Sequence, residues 1–129
     1  MSKMPNVMNV QVAVLLTSIV GGCATGPRFR GPIQLVSNAQ IVVIRATARQ
    51  KPEGIVVGGD VRRTNGFAGG VPGHLEVVGW DVSGKIVAST NTSWGEFMSR
   101  RFRLAYFRAI LRTKDPSSIA TIRVESVTP

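Results

Sequence analysis

After an N-terminal region, the chain consists of short apolar, β-branched runs separated by turn residues. Residues 39–49 form the first run and residues 55–63 the second, with Pro52 and Gly54 between them. In residues 119–127 apolar and polar side chains alternate, which is typical of a β-strand that buries one face. Short strands at this spacing, without a convincing long helix, predict an all-β fold, a small antiparallel β-sandwich.

The clearest predicted element is a β-hairpin. Residues 74–82 and 85–93 both favour strands, and Ser83-Gly84 between them suits a tight connection in which Gly84 takes a positive φ. Asp81 is interpreted as a turn former whose carboxylate accepts hydrogen bonds from nearby backbone amides. Apolar side chains occur on both faces of the first strand, which predicts that both faces are partly covered.

Residues 100–112 permit two interpretations. A strand would place Phe102 and Tyr106 on one face and Phe107 on the other, which requires a change of phase, such as a β-bulge, near Ala105. A helix would place Phe102 and Tyr106 on the same side. The strands predicted on either side of this segment favour the strand.

The N-terminal segment has the layout of a secretory signal. Lys3 gives a weakly positive start, residues 12–20 are uncharged and largely apolar, and the small residues Gly21 and Gly22 follow. The apolar stretch is shorter than the roughly 20 residues that a membrane-spanning helix needs. A cleaved signal is therefore favoured over a permanent transmembrane helix.

The segment Val20-Gly21-Gly22-Cys23 resembles the lipobox of bacterial lipoproteins. The resemblance implies cleavage before Cys23, diacylglycerol on its sulfur, and acylation, for example by palmitate, of the new N-terminus. In one sorting scheme an Asp after the cysteine retains a lipoprotein at the inner membrane, so Ala24 implies the outer membrane. The alternative for Cys23, the only cysteine, is an ordinary buried side chain. The lipobox predicts three segments: a signal peptide at residues 1–22, a lipidated cysteine with a Gly/Pro tether at residues 23–38, and a folded domain at residues 39–129.

Three further segments resemble the Ig-like FxLyD-type domains of bacterial exported proteins. Residues 59–65 resemble that family's G-x-V-x-N segment, residues 75–87 its strand ending in D-x-x-G-x-V, and residues 107–111 its late F-x-a-x-l strand. Those domains are mostly uncharacterised binding or accessory modules. The resemblance therefore implies a small antiparallel Ig-like β-sandwich, and it supports this fold more than any activity.

The chain is strongly basic, with 16 Lys and Arg against 7 Asp and Glu and a net charge of +9. Only Lys3 precedes Cys23, so the part from Cys23 onward keeps a net charge of +8. For an exported protein the anions within reach are lipid headgroups, lipopolysaccharide and cell-wall polymers rather than nucleic acid. The alternative is a solvated edge strand whose charges suppress aggregation. The candidate residues for binding an anionic surface are Arg62, Arg63, Arg100, Arg101, Arg103, Arg108 and Arg112.

The sequence offers little for catalysis or metal binding. His74 is the only histidine and Cys23 the only cysteine, so one chain cannot supply a site that needs two imidazoles. Asp60 and Glu76 are carboxylates of a suitable type, but no spacing singles out a general acid and base. We therefore predict no enzyme, no metal and no cofactor.

These observations together predict a membrane-anchored lipoprotein of the cell envelope that acts as a non-enzymatic binding or accessory module. A small anchoring subunit of an envelope secretion or conjugation complex is the alternative, and a small hydrolase or metal-binding protein is less favoured. The expected partners are the membrane, through the lipid anchor, and an anionic lipid, a cell-wall polymer or another envelope protein.

Overall fold

The computed structural model describes residues 26–64, 70–97 and 104–129, and these residues form strands joined by turns and one short 3₁₀ turn at Pro116–Ser118. The strands in chain order are β1 (Ile33–Val36), β2 (Ile41–Lys51), β3 (Gly54–Arg63), β4 (His74–Trp80), β5 (Ile86–Thr92), β6 (Leu104–Arg112) and β7 (Thr121–Val127).

The strands form two sheets that pack face to face. One sheet has the order β2-β3-β6, and the other has the order β1-β7-β4-β5. All neighbouring strands are antiparallel except β1 and β7, which are parallel. The predicted all-β sandwich is confirmed.

The core lies between the sheets and is built by alternate residues of each strand. On β3, Ile55, Val57 and Val61 are completely buried, and on β7 the same is true of Ile122 and Val124. Burying an aliphatic side chain of this size stabilises a fold by about 1.5–3 kcal/mol. All of the buried side chains that the structure describes lie between residues 29 and 126. The chain from residue 24 onward therefore contains this core, and we expect it to fold without the segment that precedes it.

The described part of the predicted tether belongs to the sandwich. The amide of Phe29 donates a hydrogen bond to the carbonyl of Ala48 at 2.9 Å, so the chain first runs along the edge of β2. It then crosses to the other sheet, where β1 pairs with β7. The prediction placed all of residues 23–38 in a tether, because their Gly and Pro content conceals a strand of only four residues. β1 depends on its partner β7 rather than on a pattern of its own.

The predicted hairpin is formed by β4 and β5, and its connection is longer than two residues. The amide of Asp81 donates to the carbonyl of Lys85 at 2.9 Å, and Gly84 has a φ of +87°. The Asp81 carboxylate accepts hydrogen bonds from the amide and hydroxyl of Ser83 and from the amide of Lys85. These bonds, that of the Ser83 hydroxyl first, lower the pKa of Asp81. Its interpretation as a turn former is confirmed.

The segment with two interpretations is a strand where the structure describes it. β6 alternates without interruption, with Phe107 1% exposed on the inner face and Tyr106 62% exposed on the outer face. The predicted bulge near Ala105 is wrong, because Tyr106 faces solvent and no change of phase is needed. A bulge occurs instead in β2, where Ile44 is the extra residue. Residues 100–103 lie outside the described part of the chain.

Candidate functional site: a basic sheet face

The outer face of the β2-β3-β6 sheet carries a concentration of cationic side chains. On β2 the bulge at Ile44 changes the phase of the strand: Val43 points into the core, and so does Ala48. Without that extra residue, strict alternation would direct Arg45 and Arg49 inward. The bulge therefore turns the polar positions of the second half of β2, Arg45, Thr47, Arg49 and Lys51, toward solvent.

β6 supplies the opposite side of this face. Arg108 is opposite Gly58 of β3, and Arg112 is opposite Gly54, which puts both arginines on the outer side of the sheet. Arg62, in the outer position at the far end of β3, extends the same face. We call this surface the basic face and define it by Arg28, Arg45, Arg49, Lys51, Arg62, Arg108 and Arg112.

Arg28 joins the basic face from the N-terminal segment. It forms an antiparallel bridge with Arg49, and its neighbour Phe29 is buried on the inner side. Arg28 and Arg49 are therefore like charges directly opposite each other, an arrangement that destabilises a sheet.

A shallow depression of about 350 Å³ crosses the middle of the basic face. Its floor is Gly58, and a Cβ atom at that position would lie 2.8 Å from the phenolic oxygen of Tyr106. The Tyr106 ring therefore lies across the glycine and presents an aromatic surface among the basic side chains. Arg45 and Arg49 line the opposite side.

Among the described strands of this sheet, Asp60 of β3 is the acidic residue on the basic face. It accepts a hydrogen bond from Nε of Arg45 at 2.8 Å, and Nη2 of the same guanidinium is also 2.8 Å away. The Arg45 side chain is 73% exposed, so solvent weakens this ion pair. Asp60 compensates one cation, and the face as a whole stays strongly positive.

The outer face of the other sheet has a different electrostatic character. Arg123 of β7 lies 3.7 Å from the carboxylate of Glu76 and 3.5 Å from that of Glu125, and its guanidinium is 5.1 Å from the centre of the Trp80 ring. Its charge is therefore matched by two acidic neighbours. The domain thus has one basic face and one face whose charges are largely compensated.

The structure brings together part of the predicted arginine patch. Arg62, Arg108 and Arg112 share the basic face. Arg63 points to the other side of its strand, and its guanidinium lies 5.7 Å from the centre of the Phe97 ring. The remaining predicted residues, Cys23, Arg100, Arg101 and Arg103, lie outside the described residues.

Sequence reasoning missed Arg45, Arg49 and Lys51. The signal that could have revealed them is the spacing of the apolar positions on β2. In the first half of β2 the apolar side chains that face the core stand at the odd positions 41 and 43, and in the second half they stand at the even positions 46 and 48. One extra residue between the two halves, a β-bulge, allows both sets to face the core.

The described residues show no arrangement typical of a metal centre. In residues 26–64, 70–97 and 104–129 no three His, Cys, Asp or Glu side chains are grouped so that they could hold a metal ion. His74 is half-buried at the start of β4, opposite Val127. The same part of the chain contains no helix long and apolar enough to cross a membrane.

No protein-family model matches this chain, and comparisons with curated proteins and with solved structures find no match either.

Proposed function

We propose that this chain is a lipid-anchored protein of the bacterial cell envelope whose β-sandwich is a non-enzymatic binding module for an anionic partner. The observation that carries the proposal is the basic face, which gathers cations from three strands and the N-terminal segment around a glycine-floored depression.

The basic face is not explained by the needs of the fold. Arg28 and Arg49 are directly opposite each other, which weakens a sheet. The opposite face shows that the same domain can compensate an arginine, since Arg123 has carboxylates on two sides. Repulsion on the basic face is relieved when an anion binds, so a ligand with several negative charges accounts for its composition.

The anchor in this proposal comes from the N-terminal sequence. An apolar run that ends in Val20-Gly21-Gly22-Cys23 supports export, cleavage before Cys23 and acylation of that residue. Ala24 supports the outer membrane, with the sandwich on the periplasmic side. Acyl chains hold a protein at a bilayer because each buried CH₂ contributes about 0.8 kcal/mol.

The anchor is tested by metabolic labelling of the full chain in a diderm bacterial host. We expect wild-type protein to incorporate labelled palmitate and to enter the detergent phase, and the Cys23→Ser variant to do neither. A Cys23→Ser protein that still carried the label would refute acylation at this residue.

The binding role is tested by retention on a polyanion column with two variants of equal charge change. In the face variant, Arg108→Glu and Arg112→Glu remove two exposed cations from the basic face. In the control variant, Lys85→Glu and Lys114→Glu make the same change at exposed positions in turns. We expect the face variant to elute at clearly lower salt than the control. Equal elution would show that only net charge matters and would contradict a specific binding face.

A further inference from the structure

The first described residues of the chain lie beside the basic face. Nη1 of Arg49 donates to the carbonyl of Gly26 at 3.4 Å, and the amide of Gln50 donates to the carbonyl of Pro27 at 2.8 Å. The chain therefore enters the sandwich at the edge of β2, next to one of the arginines that define the face.

The distance from this entry point to the proposed anchor is short. Only Ala24 and Thr25 separate Cys23 from Gly26. Because an extended chain advances about 3.3–3.6 Å per residue, Gly26 lies within roughly 11 Å of Cys23. An acylated Cys23 sits at the bilayer surface, so the Arg49 edge of the basic face is held close to the lipid headgroups. Because roughly 11 Å is the fully extended limit, the connection is short enough for the Arg49 edge to come within the Debye length of the headgroups, roughly 8 Å at physiological ionic strength, where attraction between charges is only partly screened.

We propose that the partner of the basic face is the anionic lipid of the same membrane that holds the protein's own anchor, so that the sandwich lies with its β2-β3-β6 sheet against the headgroups. This inference rests on the proposed lipidation of Cys23 and adds to it the identity of the anionic partner and the orientation of the domain.

Three features favour this partner over a soluble polymer. The short connection keeps the face at the bilayer, where the local concentration of headgroups is far above that of a ligand in solution. The cations lie on the outer side of a sheet, so several can reach a flat, charged surface at once. Tyr106, 62% exposed in their midst, has the amphipathic ring that is enriched at the boundary between membrane and water.

The orientation can be measured with a probe on each face of the lipidated full chain. Thr47 is exposed on the basic face, and Ser89 is exposed on the outer side of β5, on the opposite sheet. Thr47→Cys and Ser89→Cys each introduce one reactive thiol, because the sulfur of acylated Cys23 is blocked as a thioether. Each variant is labelled with a fluorophore and reconstituted into vesicles that contain a lipid-bound quencher.

We expect the probe at position 47 to be quenched several-fold more than the probe at position 89 in vesicles that contain phosphatidylglycerol. In vesicles of phosphatidylcholine alone the difference should shrink, as it should at high salt or when Arg108→Glu and Arg112→Glu are added. Equal quenching at the two positions in anionic vesicles would overturn the inference. A protein that does not float with phosphatidylcholine vesicles lacks its anchor, which contradicts the proposed function and this inference with it. A protein that floats but shows equal quenching contradicts this inference alone.

Discussion

Replacing Gly59 with alanine tests the register that turns the arginines of β2 outward. Gly59 is buried opposite Ala46, just beyond the bulge. A Cβ atom there would lie 2.9 Å from the Cα of Ala46 and from the carbonyl carbon of Arg45, and closer still to the Arg45 oxygen. These are backbone atoms, so β2 has to move to make room. The neighbouring Gly58→Ala variant is the control, since its Cβ would meet the flexible end of Tyr106, 2.8 Å away.

The expected loss follows from the cost of overpacking. Inserting a group that forces the backbone to shift costs about 1–3 kcal/mol, and the rigid obstacle places Gly59→Ala near the upper end. Alanine also lowers the conformational entropy of the unfolded chain, which offsets about 0.4–1 kcal/mol of this cost. The free energy of unfolding should therefore fall by roughly 2 kcal/mol. For a domain of this size about 4–8 °C is lost per kcal/mol, so Tm should fall by roughly 8–16 °C. Gly58→Ala should cost clearly less, because Gly58 is only half-buried and the atom its Cβ would meet is the end of the exposed Tyr106 side chain, which can move aside.

The assay is thermal and urea unfolding of residues 24–129 of both variants beside wild type. Because a shift of one residue in a strand exchanges its two faces, the pattern reports which face each glycine occupies. Equal losses of stability for the two variants, or a larger loss for Gly58→Ala, would refute the described pairing of β2 with β3. They would also refute the assignment of Arg45 and Arg49 to the basic face.

Two further predictions concern the strand faces and the hairpin turn. Phe107→Ala should lower the free energy of unfolding in urea by about 3–5 kcal/mol, because its ring is buried in the core. Tyr106→Ala on the outer face should change it by only about 0.5 kcal/mol. Similar losses for the two variants would contradict the assignment of these residues to opposite faces of β6. Hydrogen bonds, that from the Ser83 hydroxyl first, lower the pKa of Asp81 below its ordinary value of 3.8. Ionised Asp81 therefore stabilises the fold above that value, and its contribution is lost as the pH falls through the lowered pKa. In acid titrations followed by thermal unfolding, wild type should lose more stability than Asp81→Asn over this range, and parallel curves would contradict the role of the carboxylate.

The fold class could be predicted because alternation with a period of two reports directly on burial. The last strand is an example, since Ile122 and Val124 alternate with polar residues in the sequence and are fully buried in the structure. β1 could not be predicted in the same way. It is a short edge strand whose Leu35 and Val36 stay exposed, and pairing with a strand far along the chain defines it.

The residues of the candidate site could be predicted where the side chains of a strand alternate between its two faces without interruption. Arg108 and Arg112 lie on an uninterrupted strand, so their common face follows from their spacing. Arg45 and Arg49 face outward only because Ile44 is an extra residue in β2, and the position of a bulge depends on pairing with β3. The N-terminal segment adds Arg28 through another tertiary pairing, which sequence periodicity does not encode.

Sedimentation of residues 24–129 with lipid vesicles tests most directly whether the basic face binds an anionic membrane. The face variant (Arg108→Glu and Arg112→Glu) and the control variant (Lys85→Glu and Lys114→Glu) are compared with wild type on neutral and on phosphatidylglycerol-containing vesicles at several salt concentrations. We expect wild type and the control variant to bind the anionic vesicles but not the neutral ones, and this binding should weaken steeply as salt screens the charges. The face variant should lose most of its binding to anionic vesicles. Equal binding of wild type to neutral and anionic vesicles, or equal binding of the two variants, would contradict the proposed role of the face.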